Sequence, residues 1–109
     1  MKIERLIELL NARPINLPQG FSREIEGGYC GDFLSFVMNR APENSAWFTV
    51  MTNLNVAAVA ALTDVGCVVV CEGSKCDDAL INKAVAQNIC LIETDYDIFQ
   101  SVNRYLSEK

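Results

Sequence analysis

Thr52, Asn53 and Asn55 place one hydroxyl and two amides within four residues. An amide side chain offers a donor and an acceptor without charge, so this group suits recognition of a polar ligand rather than bond breaking. The segment carrying it runs from Ala46 to Gly73, where two apolar strand-like runs, AWFTVM and CVVVCEG, bracket the polar corner and an alanine-rich helix, NVAAVAALTDV. Such a βαβ unit sets the corner at the carboxyl end of a buried strand and the start of a helix, where open parallel sheets bind ligands. A competing role for Asn55 is to cap that helix.

The same logic gathers the corners Glu26 to Asp32, Thr52 to Asn55, Glu72 to Asp77 and Glu93 to Asp95 along one rim, since parallel strands all end on one side. Candidate ligand-binding residues on it are Gly28, Gly31, Asp32, Thr52, Asn53, Asn55, Glu72, Gly73, Thr94 and Asp95. Gly27, Gly28 and Gly31 permit positive φ and a nest of free amides for an anion. Against a bare phosphate stand the carboxylates of Glu26, Asp32, Glu72, Asp77, Asp78, Glu93, Asp95 and Asp97. Capping is the competing role for Asp32, Asp77 and Asp95, because a carboxylate in a first helical turn meets unpaired N–H groups and the helix dipole.

Catalytic and cofactor signals are missing. The chain has no histidine, so a general base would have to be a raised carboxylate or a thiolate. It lacks G-K-[ST], which excludes a P-loop, and its glycines do not spell the dinucleotide fingerprint. Five cysteines (Cys30, Cys67, Cys71, Cys76 and Cys90) form no C-x-x-C pair, and neither a metal nor a cofactor is expected. Cys67, Cys71 and Cys90 lie in strand-like runs as small buried residues, whereas Cys30 and Cys76 precede helices, a setting that lowers a thiol pKa.

The 109 residues, half of them apolar, are enough for one domain. A net charge of −5 without a basic cluster argues against nucleic acid. No run resembles a membrane span or a signal peptide, so a cytoplasmic protein is expected.

The positioning elements follow from periodicity. Met1 to Ala12 spaces Ile3, Leu6, Ile7 and Leu10 as an amphipathic helix. Pro14 to Gly20 reads as a loop with a short extended piece around Ile15, Phe21 to Glu26 as a strand with Ile25 inward, and GGYCGD as a turn. Asp32 to Arg40 reads as a helix buried on most sides through Phe33, Leu34, Phe36, Val37 and Met38. Asp77 to Asn88 is a helix built on Leu80, Ile81, Ala84 and Val85, and ICLIET is a strand. A last helix from Asp95 to Ser107 buries Ile98, Phe99, Val102, Tyr105 and Leu106. Alternating strands and helices imply a three-layer α/β sandwich with a mostly parallel sheet of four to five strands, helices on both faces and the extra N-terminal helix.

The chain resembles the DRTGG-domain family from about Glu24 to Leu106. The carriers are G-x-x-G-D at Gly28 to Asp32, V-M-T-N at Val50 to Asn53 before A-A-V-A-A-L, V-V-V-C-E-G at Val68 to Gly73 and T-D-Y-D-I-F at Thr94 to Phe99. Asn53-Leu54-Asn55 replaces the family's acidic and basic pair, and Glu72 stands where the first glycine of its Gly-Gly pair is expected. The resemblance implies a free-standing, single-domain relative of the N-terminal domain of bacterial HPr kinase/phosphorylase, with a core at 21–107 and a regulatory role. The leading expectation is therefore a non-catalytic, homo-oligomeric module that senses a small ligand or docks a protein along the rim. Two alternatives remain: a transferase using Cys30 or Asp32, and a structural dimer formed through the first helix and the alanine-rich helix.

Overall fold

The computed structural model describes residues 1–108, as five helices and five strands in one sheet. In chain order these are α1 (Ile3–Leu9), β1 (Arg13–Asn16), β2 (Gly28–Cys30), α2 (Leu34–Arg40), β3 (Ala46–Thr49), α3 (Asn55–Thr63), β4 (Cys67–Val70), α4 (Asp78–Gln87), β5 (Leu91–Glu93) and α5 (Ile98–Ser107). The sheet order is β1-β5-β4-β3-β2; β2 to β5 are parallel, and β1 runs antiparallel to β5.

From β2 to β5 the chain steps across the sheet one strand at a time. Right-handed crossovers then place α2, α3 and α4 on one face. Their core side chains, Val37, Val56, Ala57, Ala60, Leu80 and Ala84, pack with Trp47, Val68, Val70 and Leu91. α1 and α5 cover the other face, where Ile3, Leu6, Leu10 and Tyr105 meet Phe48, Val69 and Ile92. The alternation along β3, β4 and β5 is that of strands covered on both sides, which is why they read as unbroken apolar runs. Because strand order never reverses, the sheet has no switch-point crevice, and its four parallel strand ends form a continuous rim.

Several expectations change. Phe21 to Glu26 is not a strand: Ile25 is buried, but its N–H donates to Met1 O and that of Glu26 to Asn44 O, which ties this stretch outside the ladder. Gly27, at φ +66, turns the chain, and the supposed turn GGYC supplies β2 instead. The short extended piece around Ile15 is the strand Arg13–Asn16, paired into the sheet; its proline is tolerated because β1 is at the margin.

α2 buries only Val37, leaving Phe36, Met38 and the preceding Phe33 exposed, because it lies at the edge of its layer, packed chiefly against α3. Phe33 and Phe36 pack edge to face, with Arg40 over the Phe36 ring at 4.4 Å. In α5, Tyr105 is buried and Ile98 and Val102 half-buried, but Phe99 and Leu106 are exposed. The helix is capped by Asp97, which accepts from Gln100 N–H at 2.6 Å, and so begins later than Asp95. Val85 of α4 is likewise exposed.

Cys67, Cys71 and Cys90 are buried as expected, with Cys67 and Cys90 Sγ 3.5 Å apart across β4 and β5. Cys76 is buried too, and desolvation together with the Glu93 carboxylate pushes its thiol up to about 12. Burial raises the Cys67 thiol and takes that of Cys71 to about 11. These folded-state values exceed those of an unfolded chain, so the unfolded state loses protons first and stability falls as pH rises from about 9 toward 12. The expected result is a melting temperature flat through neutral pH and declining steadily above pH 9. With a thiol reagent at neutral pH, the exposed Cys30 should react first and the other four only on unfolding.

Candidate functional site

The four corners that follow the parallel strands are linked along the rim by hydrogen bonds. Asp32, after β2, accepts from Thr49 Oγ1 at 2.5 Å and from Val50 N–H at 3.0 Å, joining the first corner to the second. Thr52 O accepts from Asp77 N–H at 3.0 Å, joining the second to the third. Glu72 N–H donates to Tyr96 O at 2.8 Å and Gly73 N–H to Thr94 O at 3.0 Å, joining the third to the fourth. Asp32, Thr52, Asn53, Asn55, Glu72, Gly73, Thr94 and Asp95 thus share one edge of the molecule.

Gly28 does not join them. It opens β2 opposite Ala46, where an added Cβ would lie 3.3 Å from Ala46 O and 3.8 Å from the Tyr105 ring, so its glycine serves packing. Gly31 is on the rim but its backbone is occupied: its N–H donates to Phe48 O, and its carbonyl accepts from the Trp47 indole at 2.9 Å. Of the three glycines expected to form a nest, only Gly27 has positive φ.

Capping is also redistributed. Phe33, not Asp32, occupies the cap position of α2, and Asp77 caps α4 by position without a side-chain bond. Leu54 is the cap position of α3; Asn55 is its first residue and donates its N–H to Asn53 Oδ1 at 2.9 Å. Asp95 pairs with Arg13 at 3.2 Å. Thr94 is fully buried and ties the rim to the first helix by donating to Leu10 O at 2.7 Å. What the rim turns outward is the half-buried Thr52, the exposed Asn53 and Asn55, and the exposed carboxylates of Glu72, Asp77 and Asp78. The depression of about 420 Å³ beside Met1 and Arg5 is lined by no corner residue, and that of about 250 Å³ between β2 and α5 takes only Gly28, Tyr29 and Cys30 from the first corner.

Arg13 and Thr49 are contributors that the sequence does not single out, and Glu93 is one that it offers only as an acidic corner residue. Glu93 is buried at the end of β5, in phase with the inward Leu91; its carboxylate accepts from Cys76 N–H at 2.8 Å and lies 3.5 Å from Arg13 and 3.8 Å from Lys75. Arg13 bridges it to Asp95. Thr49 supplies the buried hydroxyl that holds Asp32. A carboxylate closing an apolar run in register with core residues is the signal that marks Glu93.

Neither Cys30 nor Cys76, the two thiols expected in an activating setting, has a lowered pKa. Desolvation raises the Cys30 thiol above its ordinary value, the reverse of the shift a nucleophile needs. Among the described residues no group of three or more acidic or cysteine side chains is arranged to hold a metal ion, and no helix is long and apolar enough to cross a membrane.

Glu72 adopts φ +67 beside Gly73 at φ +70, a left-handed conformation that costs a non-glycine residue about 1 kcal/mol. Glu72→Gly should remove that strain, partly offset by a looser unfolded chain, and raise the melting temperature by about 2–4 °C.

No protein-family model matches the chain, and no curated protein matches it in sequence. Among solved structures it is similar to the CBS and DRTGG domains of the regulatory region of the Clostridium perfringens pyrophosphatase, solved in complex with the activator diadenosine tetraphosphate. The TM-score is 0.78 at 16% identity, over 94% of this chain and 44% of that one. The likeness supports a DRTGG-like fold. The chain spans less than half of its neighbour's length.

Proposed function

We propose that the chain is a non-catalytic regulatory module that binds a small polar ligand at the carboxyl rim, with Thr52, Asn53 and Asn55 as its principal contacts. The observation that carries this reading is the state of the rim's groups. Backbone amides of its loops hold the corners together, while Thr52 is half-buried and the side chains of Asn53 and Asn55 stand in water. Asn53 uses only its carbonyl oxygen, on Asn55 N–H, which leaves its amide donors turned to solvent.

The structural neighbour is a regulatory region bound to a dinucleotide activator, and an adenine nucleotide is accordingly the first ligand class to try. Arg13 and Lys75 are the rim's cations, but both lie close to carboxylates. A polyphosphate would therefore need a divalent cation or the nucleoside portion for most of its affinity. The transferase alternative loses support from the raised Cys30 thiol and from Asp32, whose Oδ1 is already committed to Thr49 and Val50. The structural-dimer alternative draws less support, since α1 turns Ile3 and Leu6 into the core and α3 is flanked by α2 and α4.

The test is calorimetric titration with diadenosine tetraphosphate, ATP and AMP, with and without Mg²⁺, against wild type and the Thr52→Ala/Asn53→Ala variant. The variant should melt within about 1 °C of wild type and bind at least about tenfold more weakly. Unchanged affinity in the variant rejects the site, and wild type that binds none of the three rejects the ligand class.

A further inference from the structure

The two margins of the sheet are built differently. β1 is guarded in the usual way: Pro14 removes an N–H, and Arg13 brings charge. β2 is Gly-Tyr-Cys, with neither proline nor charge. Gly27 O accepts from Ala46 N–H and Gly31 N–H donates to Phe48 O, so the odd-numbered residues face β3. By alternation Gly28 and Cys30, both exposed, turn their N–H and C=O groups outward.

We propose that this edge pairs with itself: two copies of the chain join β2 to β2, antiparallel, about a two-fold axis through Tyr29. Gly28 and Cys30 are symmetric about Tyr29, so an antiparallel copy sets Gly28 opposite Cys30 of the second copy, and the reverse. Each of these pairs exchanges two N–H···O bonds. The glycine, having no side chain, leaves room for the thiol that faces it. An isologous contact of this kind closes at two copies and leaves no β2 edge open to further growth.

Apolar surface flanks the edge on both faces. On one, β2 and α5 enclose the cleft of about 250 Å³ lined by Phe48, Val102 and Leu106. Phe99, Val102 and Leu106 form a stripe along α5 at helical spacing. On the other face are Phe33, at the cap position of α2, and Phe36 within it. Phe33, Phe36 and Phe99 are 62%, 46% and 87% exposed, roughly 400 Å² of ring surface at about 200 Å² per ring. That is about half of the ~800 Å² per partner that a stable interface buries, before the strand and Leu106 are added. Glu26 and Asp32, at opposite ends of the strand, come near each other across the axis. The dimer should therefore tighten, not loosen, as salt screens them.

This surface is independent of ligand binding at the rim. Sedimentation of the full chain should show a dimer at about 100 µM. Cys30→Lys and Leu106→Lys should each weaken association at least about 100-fold while keeping a cooperative melt. Leu62→Lys, which charges the solvent face of α3, should leave association unchanged. In wild type, the two Cys30 residues are diagonal cross-strand neighbours about 7–8 Å apart. A bis-maleimide of matching span should therefore give a covalent dimer that Cys30→Ser abolishes. This readout still decides the matter if a lysine variant fails to fold. A monomer at that concentration, an assembly that grows past two copies, or a dimer that survives both lysines without cross-linking overturns the proposal. The monomeric outcome would leave the edge for an extended segment of another protein.

Discussion

Trp47→Ala should destabilise the protein by about 3–5 kcal/mol, the usual cost of emptying a site this large. Trp47 is fully buried in β3, among the side chains that fill the space between the sheet and α2 to α4. Its indole N–H also donates to Gly31 O at 2.9 Å, pinning the first corner of the rim from beneath. Truncation therefore leaves both a cavity and a carbonyl without its donor. Since a domain of this size has about 5–15 kcal/mol to lose, the alanine variant sits close to unfolding at physiological temperature. Trp47→Phe separates the two effects: it keeps most of the volume and gives up the bond, for about 1–2 kcal/mol. Urea unfolding measures both. Hydrogen exchange at Val50 N–H, which Asp32 holds, reports whether the corner loosens in the phenylalanine variant. A Trp47→Ala loss below about 1 kcal/mol would mean that the layer packs without its largest member.

Much of this arrangement was legible from periodicity. The β3-α3-β4 unit, α4, β5 and α1 fall where the apolar spacing places them, because each buries a face long enough to leave its period in the sequence. The misreadings share a physical cause. β2 has three residues, too few for a period, and its Gly-Gly-Tyr-Cys composition carries a turn signal that the sheet overrides through pairing with β3. The apolar residues of α2 and α5 read as core because apolar character says nothing about which layer margin a helix will occupy. Phe33, Phe36, Phe99 and Leu106 are outside for that reason. At the rim, the sequence located the corners but not their wiring. Asp32, Asp77 and Asp95 have the composition of caps, yet Asp32 serves Thr49 and Val50 and Asp95 serves Arg13. Such partners lie across the sheet from one another and become visible only once strand order is known.

Glu93→Ala carries the second large expected effect, about 2–4 kcal/mol. The Glu93 side chain is 5% exposed and meets three groups: Cys76 N–H, the Arg13 guanidinium and, at a longer distance, the Lys75 ammonium. Removing it strands the Cys76 N–H in the interior and leaves Arg13 only its exposed contact with Asp95. The Lys75 contribution is small, because that side chain is 70% exposed and its charge is screened by water. Most of the loss therefore resides in the Cys76 and Arg13 contacts. Glu93→Gln tests this division: an amide oxygen still accepts from Cys76, so the glutamine variant should lose only about 1 kcal/mol, most of it the ion pair. Cys76 immediately precedes the Asp77 whose N–H donates to Thr52 O. Releasing Cys76 should thus loosen α4 at its start and, through Thr52, the corner proposed to hold the ligand. Glu93→Ala should show faster hydrogen exchange at Asp77 than Trp47→Phe does, with the order reversed at Val50. Equal protection at both positions in the two variants would mean that neither Glu93 nor Trp47 governs the corner it touches.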